Sequence, residues 1–194
     1  MKRTCSWLVL VGLVVATSAA SGASPAAIQG KTATLGPDNT KIEFVGVHSG
    51  AKPDPRTGGF AKFKGQAEVD PAAKTLQAVT LEIATDSLFT EIPKLTNHLK
   101  SGDFFECREY PTAKFESTKI EAAGGKHKIT GKLTLHGVTK EISFPATVEI
   151  GAHGLQLTSE FKIDRSQFGM TYGAGQVENE VSLAVVVGEK TVPK

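Results

Sequence analysis

The chain has little of what covalent or redox chemistry needs. It carries two cysteines, one tryptophan, two tyrosines and two methionines in 194 residues. One cysteine (Cys5) and the tryptophan (Trp7) fall within the first 23 residues. Those residues read as a secretory leader: a basic start at Lys2-Arg3, a short apolar run from Trp7 to Ala16, then small residues with cleavage points at Ser18-Ala19-Ala20 and Ser21-Gly22-Ala23. Without them Cys107 stands alone, so an intrachain disulfide is excluded. Because Cys5 precedes the apolar run, a lipoprotein anchor is excluded as well. No later stretch approaches the roughly 18 consecutive apolar residues of a membrane-spanning helix, so no stable membrane anchor is expected.

An excess of charge is also missing. Lys and Arg number 22 against 20 Asp and Glu, and loss of the leader takes two basic residues and no acids, leaving 20 against 20. Such a surface exerts no long-range pull on nucleic acid or anionic lipid. The expected organisation is a signal peptide over 1–23, a flexible start over 24–31 and one domain over 32–190. About 171 residues are enough for a sizeable core without covalent staples.

What is present is alternation. In Ala61 to Asp70 the odd positions are apolar or small and the even ones polar. Val79-Leu81-Ile83, Ile129-Gly131-Leu133-Leu135, Ile142-Phe144-Ala146-Val148-Ile150, Leu155-Leu157-Phe161-Ile163 and Val181-Leu183-Val185-Val187 repeat the period of two. Ile42 to Val47 and Ala113 to Ile120 are fainter versions. Turn residues separate them at Asp70-Pro71, Gly124-Gly125, His136-Gly137 and Gly151 to Gly154. About eight antiparallel strands with one polar face suit an all-β barrel, which removes exposed edges; a sandwich is the competing architecture. One segment breaks the rhythm. Ile92, Leu95, His98 and Leu99 lie at helical spacing over about 91–101, with Pro93 in the first turn, Gly102 past the end, and Thr90 or Asp86 as candidate caps. This short helix is expected near the barrel mouth.

Several residues invite a catalytic reading. Cys107 lies near His98 and beside Arg108, but Glu106 and Glu109 oppose the lowered pKa a nucleophilic thiol needs, and no C-x-x-C partner exists. A small buried hydrophobe is the plainer reading. The histidines His48, His98, His127, His136 and His153 form no metal-binding spacing, so no metal or cofactor is expected, and His136 suits a local hydrogen bond. Asp164-Arg165-Ser166 reads as a buried Arg–Asp pair or a turn cap, with anion binding as the alternative. There is no G-x-S-x-G, and Gly169, Gly173 and Gly175 are not in a phosphate-cradle context. By contrast, the inward set mixes Phe63, Phe144 and Phe161 with Ala61, Gly65, Ala67, Gly131 and Ala146. Small inward residues leave room in an eight-stranded barrel, either to be packed or to hold one ligand.

One set of motifs is more specific. His98-Leu99-Lys100-Ser101-Gly102-Asp103-Phe104-Phe105, then Tyr110-Pro111-Thr112 and Phe115-Glu116-Ser117, resembles the H-L-K-S-x-D-F-F-D, Y-P-T and F-x-S pattern of the YceI-like family of exported, lipocalin-like polyisoprenoid-binding proteins. Gly131 to Lys140, Asp164 to Gly169 and Glu180-Val181 extend the similarity over most of the chain. The resemblance implies an eight-stranded antiparallel lipocalin-like barrel, an elongated apolar cavity for a polyisoprenoid or similar long-chain lipid, a periplasmic or secreted location, and neither metal nor catalysis. The residues then expected to line the cavity are Phe44, Phe63, Leu81 and Ile83; Leu95, Leu99, Phe104 and Phe105 at the lid; Phe115, Leu133, Phe144 and Phe161 on the wall; and Phe168 and Met170. Three places depart from the family pattern: Asp38 to Ile42 lacks a histidine, Gly50 to Arg56 is proline-rich, and Cys107 replaces an aliphatic residue. A redox or metal-dependent enzyme using Cys107 and nearby histidines, and a packed interaction module without ligand, are the alternatives. A homodimer is left open.

Overall fold

A computed structural model describes residues 25–49, 52–123, 126–152, 154–189, 191 and 193. The expected leader, the turn at Gly124-Gly125, His153 and the start of the proline-rich segment at Gly50-Ala51 lie outside the described residues.

The alternating segments form strands where the period of two places them. β1 (Ile28–Gln29), β2 (Thr32–Leu35), β3 (Thr40–His48), β4 (Asp54–Phe60), β5 (Phe63–Asp70), β6 (Thr75–Ala84) and β7 (Leu88–Thr90) precede the helix α1 (Pro93–Lys100). After it come β8 (Thr112–Ala123), β9 (Lys126–Leu135), β10 (Val138–Gly151), β11 (Gly154–Asp164) and β12 (Glu180–Val187). All pair antiparallel in the order β1-β2-β5-β6-β8-β9-β10-β11-β12-β3-β4-β7. The sheet curls until its distant members are chain neighbours. Only Ala61-Lys62 separates β4 from β5, and there Ala61 N–H donates to Ser87 O and Ala84 N–H to Lys62 O. The result is the expected all-β, barrel-like, lipocalin-like architecture.

The strand count is corrected from eight to twelve among the described residues. Three of the additions are short: β1, β2 and β7. The fourth, β4, is a seven-residue strand with the sequence Asp-Pro-Arg-Thr-Gly-Gly-Phe, which reads as a loop because proline and paired glycines disfavour strands. Pro55 is tolerated because β7 pairs only Gly58 to Phe60, leaving the Pro55 side of β4 at a free edge. Gly58 is required because a Cβ there would run into the Phe44 ring across the β3–β4 pair.

Within the stretch 24–31, expected as a flexible start, Ala26 and Ile28–Gln29 are paired. Ala26 is fully buried, its N–H donates to Leu155 O at 3.2 Å, and Leu155 N–H returns a bond to Ala26 O at 3.0 Å. This strap crosses one end of the barrel and buries Ala26, Ala33 and Leu35 against Ala67, Val69, Ala146, Leu155 and Val187. Small residues here let backbones approach, so a ladder rather than side chains closes that end.

The opposite end is built differently. α1 is shorter than expected, and its cap residue, Ile92, makes no side-chain cap bond. Thr90 acts locally instead: its N–H donates to Thr96 Oγ1 at 2.9 Å and its hydroxyl to Ile92 O at 2.9 Å. Asp86 lies in a one-turn 3-10 segment before β7. No residue of α1 is fully buried. The β9–β10 turn at His136-Gly137 has two positive φ angles, 51° and 73°, as a two-residue hairpin of this hand requires.

Candidate functional site: an apolar bore under an aromatic lid

The inward faces of the strands do not meet. They leave a cavity of about 210 Å³ that touches nearly every long strand. Along β12 its wall includes Val181, Leu183, Val185 and Val187, which at ~3.3 Å per residue spans about 20 Å. Along β11 it runs from Leu155 to Ile163. The space therefore follows the strands for most of their length. Midway, Phe144 and Phe161 stack across β10 and β11 with centroids 4.3 Å apart, and Phe115 tilts against Phe144 at 5.4 Å. Gly131 provides the room for Phe115: a Cβ there would lie 2.6 Å from its Cζ.

The wall is apolar apart from Thr40, Lys114, Ser159 and Arg165. The first three direct their polar atoms elsewhere. Ser159 Oγ donates to Pro145 O at 2.6 Å, Thr40 Oγ1 to Asn39 Oδ1 at 2.9 Å, and Lys114 Nζ points to Glu82 at 3.4 Å. Arg165 gives its guanidinium hydrogens to the carbonyls of Glu178, Met170 and Val177 at 3.0, 2.7 and 3.1 Å. Away from Arg165 the cavity thus offers a guest van der Waals contact and apolar burial, worth roughly 0.8 kcal/mol per CH₂.

Over the cavity lies the lid. Leu99 of α1, with Phe104 and Phe105 of the following turn, reaches the wall. Phe105 meets Phe60 at 5.9 Å and Phe44 at 6.4 Å. Phe104, His98 and Tyr172 form a three-ring cluster with centroid separations of 5.1 to 5.3 Å, tying α1 to the loop before β12. Asp103 holds His98 Nε2 at 2.9 Å. His136 Nδ1 meets Phe168 O at 3.1 Å, a long-range contact between the β9–β10 turn and the segment after β11 where a local hydrogen bond was expected.

Of the fourteen residues expected on the wall, eleven are there: Phe44, Leu81, Ile83, Leu99, Phe104, Phe105, Phe115, Leu133, Phe144, Phe161 and Met170. Three are not. Phe63 has the inward parity but, at the strand end, packs into a cluster with Ile42, Phe60 and Leu88. Leu95 is half-buried on α1 and stops short of the wall. Phe168 is fully buried behind it, with Ala113 and Leu135. Phe60, hidden after two glycines, was not among the expected wall residues, nor were those of β12 or any of β11 besides Phe161, although their alternation was visible. Arg165 was not among them either. Asp164 caps the turn through Ser166 N–H and Oγ, at 2.9 and 2.6 Å, so of the two expected readings, Arg–Asp pair or turn cap, the structure has the turn cap, with the guanidinium bound by carbonyls.

Cys107 is buried off the wall. Burial pushes its thiol pKa up, with a Thr85 hydrogen bond and Lys100 pulling partly back. That is the opposite of nucleophile activation. Among the described residues no three His, Cys, Asp or Glu side chains gather as a metal site, and no helix is long and apolar enough to cross a membrane.

Known proteins share this architecture. A crystal structure of BcnA from Burkholderia cenocepacia is 27% identical, with a TM-score of 0.69 over 76% of this chain and 94% of that one. A YceI protein of Campylobacter jejuni is 29% identical, with a TM-score of 0.57 over 74% and 87%. A polyisoprenoid binding domain from Saccharophagus degradans, only 16% identical, has the same fold with a TM-score of 0.63 over 81% and 96%. Among curated sequences, a UPF0312 protein of Pseudomonas aeruginosa is 32% identical over 136 residues, 67% of this chain and 71% of its own length. The match to a UPF0312 protein of Pseudomonas putida, 37% identical over 91 residues, spans 47% of that protein's length. The model of the YceI-like domain matches residues 34–188, from the strap strand through the end of β12, and the chain belongs to the YceI-like family.

Proposed function

We propose that the protein is an exported, non-enzymatic binding protein that holds one polyisoprenoid or similar long-chain lipid in the barrel, for transport, storage or sequestration. A single observation carries this reading. An apolar bore runs along the strands, and on its wall Thr40, Lys114 and Ser159 bond away from the interior, which leaves Arg165 at the lid end as the one charged group facing it. A hydrocarbon chain gains there by burial alone. Membership of the YceI-like family and the shared fold of the polyisoprenoid binding domain from Saccharophagus degradans support it. The leader-like residues 1–23 support export to the periplasm or beyond. A thiol enzyme is disfavoured because Cys107 lies off the wall with its pKa raised.

Native mass spectrometry of protein purified from its host without detergent tests the proposal. The expected result is a species heavier than the polypeptide by one lipid, released on organic extraction. Polypeptide mass alone, together with no uptake of farnesol or hexadecan-1-ol by the extracted protein, contradicts it.

A further inference from the structure

Arg165 is the buried charged residue among those described, 3% exposed. Its three hydrogen-bond acceptors are neutral carbonyls. Among the described residues no carboxylate forms an ion pair with it, and Asp164, next in sequence, is engaged by Ser166. Desolvation pulls the guanidinium pKa below its usual value, with Asp164 opposing. The group nevertheless remains a cation, because arginine stays protonated in proteins. Carbonyl dipoles hold it in place and anchor the loop carrying Met170, Val177 and Glu178, yet they supply no opposing charge. Three of its five N–H donors are engaged by these carbonyls, so the fork is not exhausted.

Its position gives this charge a use. Arg165 belongs to the cavity wall at the lid end, one residue beyond β11, and its guanidinium carbon lies 5.8 Å from the centroid of the Phe104 ring. Phe104 is itself both wall and lid. An otherwise largely apolar bore therefore ends beneath an aromatic ring that covers a cation held by carbonyls and without an ion-pair partner among the described residues. In surroundings of low dielectric, such a charge acts more strongly than it would in water.

We infer that the lid end is the head-group end, and that the preferred lipid carries an anionic oxygen head, phosphate or carboxylate, seated beside Arg165 when Phe104 swings aside. This rests on the reading that the barrel holds a lipid. It adds the direction in which the chain lies, tail toward the Ala26 strap, and the sign of the head group.

Two matched pairs of probes test it by titration calorimetry on lipid-extracted full chain at mildly alkaline pH: farnesyl phosphate against farnesol, and hexadecanoate against hexadecan-1-ol. The charged member of at least one pair is expected to bind about tenfold tighter or more. Which pair shows the gain tells phosphate from carboxylate. R165Q should bring the ratio close to one, whereas R165K should keep a large part of it. Because R165Q removes a loop anchor, F104A provides a second arm: uncovering the guanidinium should raise the charged-to-neutral ratio. Equal affinities within both pairs in the wild-type protein, or an unchanged ratio in folded R165Q, overturn the inference and leave lipid binding standing. Failure of all four probes to bind overturns lipid binding itself.

Discussion

The two ends of the barrel are closed by different physics. At the strap end, Ala26 and Leu155 exchange two backbone hydrogen bonds, and Ala33, Ala67 and Ala146 let the layers approach until all are nearly inaccessible. At the lid end, closure depends on side chains: Leu99, Phe104 and Phe105 over the bore, with His98 and Tyr172 at the rim. Tyr172 is 47% exposed and no residue of α1 is buried. Opening the strap breaks a ladder and exposes a core. Opening the lid rotates rings and unpacks one helix. Regions with few buried contacts open at the lowest free energy, so on the proposed lipid-binding reading the lid is the expected door.

The largest test is at the strap. Gly154 has φ +122°, and a Cβ there would run into Ala26 O. Gly154→Val should cost about 3 kcal/mol in urea unfolding, through backbone strain and loss of the Ala26 bridge. Gly102 at the lid has no atom nearer than 3.9 Å to such a Cβ, and Gly102→Ala should change stability by less than about 0.5 kcal/mol. Equal costs would erase the contrast between the ends.

Leucine truncation repeats the comparison with less strain. Leu155→Ala removes a fully buried side chain and should cost about 3 kcal/mol, whereas half-buried Leu99→Ala should cost about 1 kcal/mol. The kinetic effects should invert. Leu99→Ala and Phe104→Ala are expected to speed lipid release about tenfold in a stopped-flow transfer assay, and Leu155→Ala to leave the release rate nearly unchanged. Faster release from the strap variant would move the door to the other end. Tyr172→Ala removes two ring contacts at an exposed site and should cost under about 1 kcal/mol, with release a few-fold faster.

Much of this contrast was legible in the sequence, unevenly. The eight alternating segments all became strands with the expected faces, because one polar and one apolar side leaves a strand only one way to lie. Pro93 and Gly102 bracketed the helix for equally local reasons. β4 was not legible, since Pro55, Gly58 and Gly59 read as loop until the rings of Phe44 and Phe89 occupy the glycine side. The strap was missed because Ala26 and Ala33 carry no pattern strong enough to announce burial; their partners lie more than a hundred residues away for Ala26 and on β5 for Ala33. Arg165 and Tyr172 were obscured in the same way. Their ring contacts, Phe104 for both and His98 for Tyr172, come from the lid, and a composition or a spacing does not show which segments meet. Local periodicity therefore revealed the wall, while the two closures depend on long-range contacts.

The smallest expected effect concerns Cys107. Burial raises its thiol pKa in the folded state, so the folded protein keeps a proton that the unfolded chain loses. The sign follows from linkage: this contribution to stability is present below the unfolded thiol pKa, roughly 8.5, and is lost as pH rises through the folded value. Cys107→Ser should remove that alkaline slope from the urea midpoint. Alkylation of the native thiol near neutral pH should be at least about tenfold slower than in urea. Fast native alkylation would show that the lid turn carrying Cys107 opens more freely than its packing implies.

The most direct measurement is a crystal structure of the protein taken from its host and never exposed to detergent. Elongated density is expected between Val187 and Leu99, passing the Phe115–Phe144–Phe161 row, with its wider end under Phe104 beside Arg165. A bore filled by repacked phenylalanines, or empty in protein that carries no extractable lipid, would contradict that expectation.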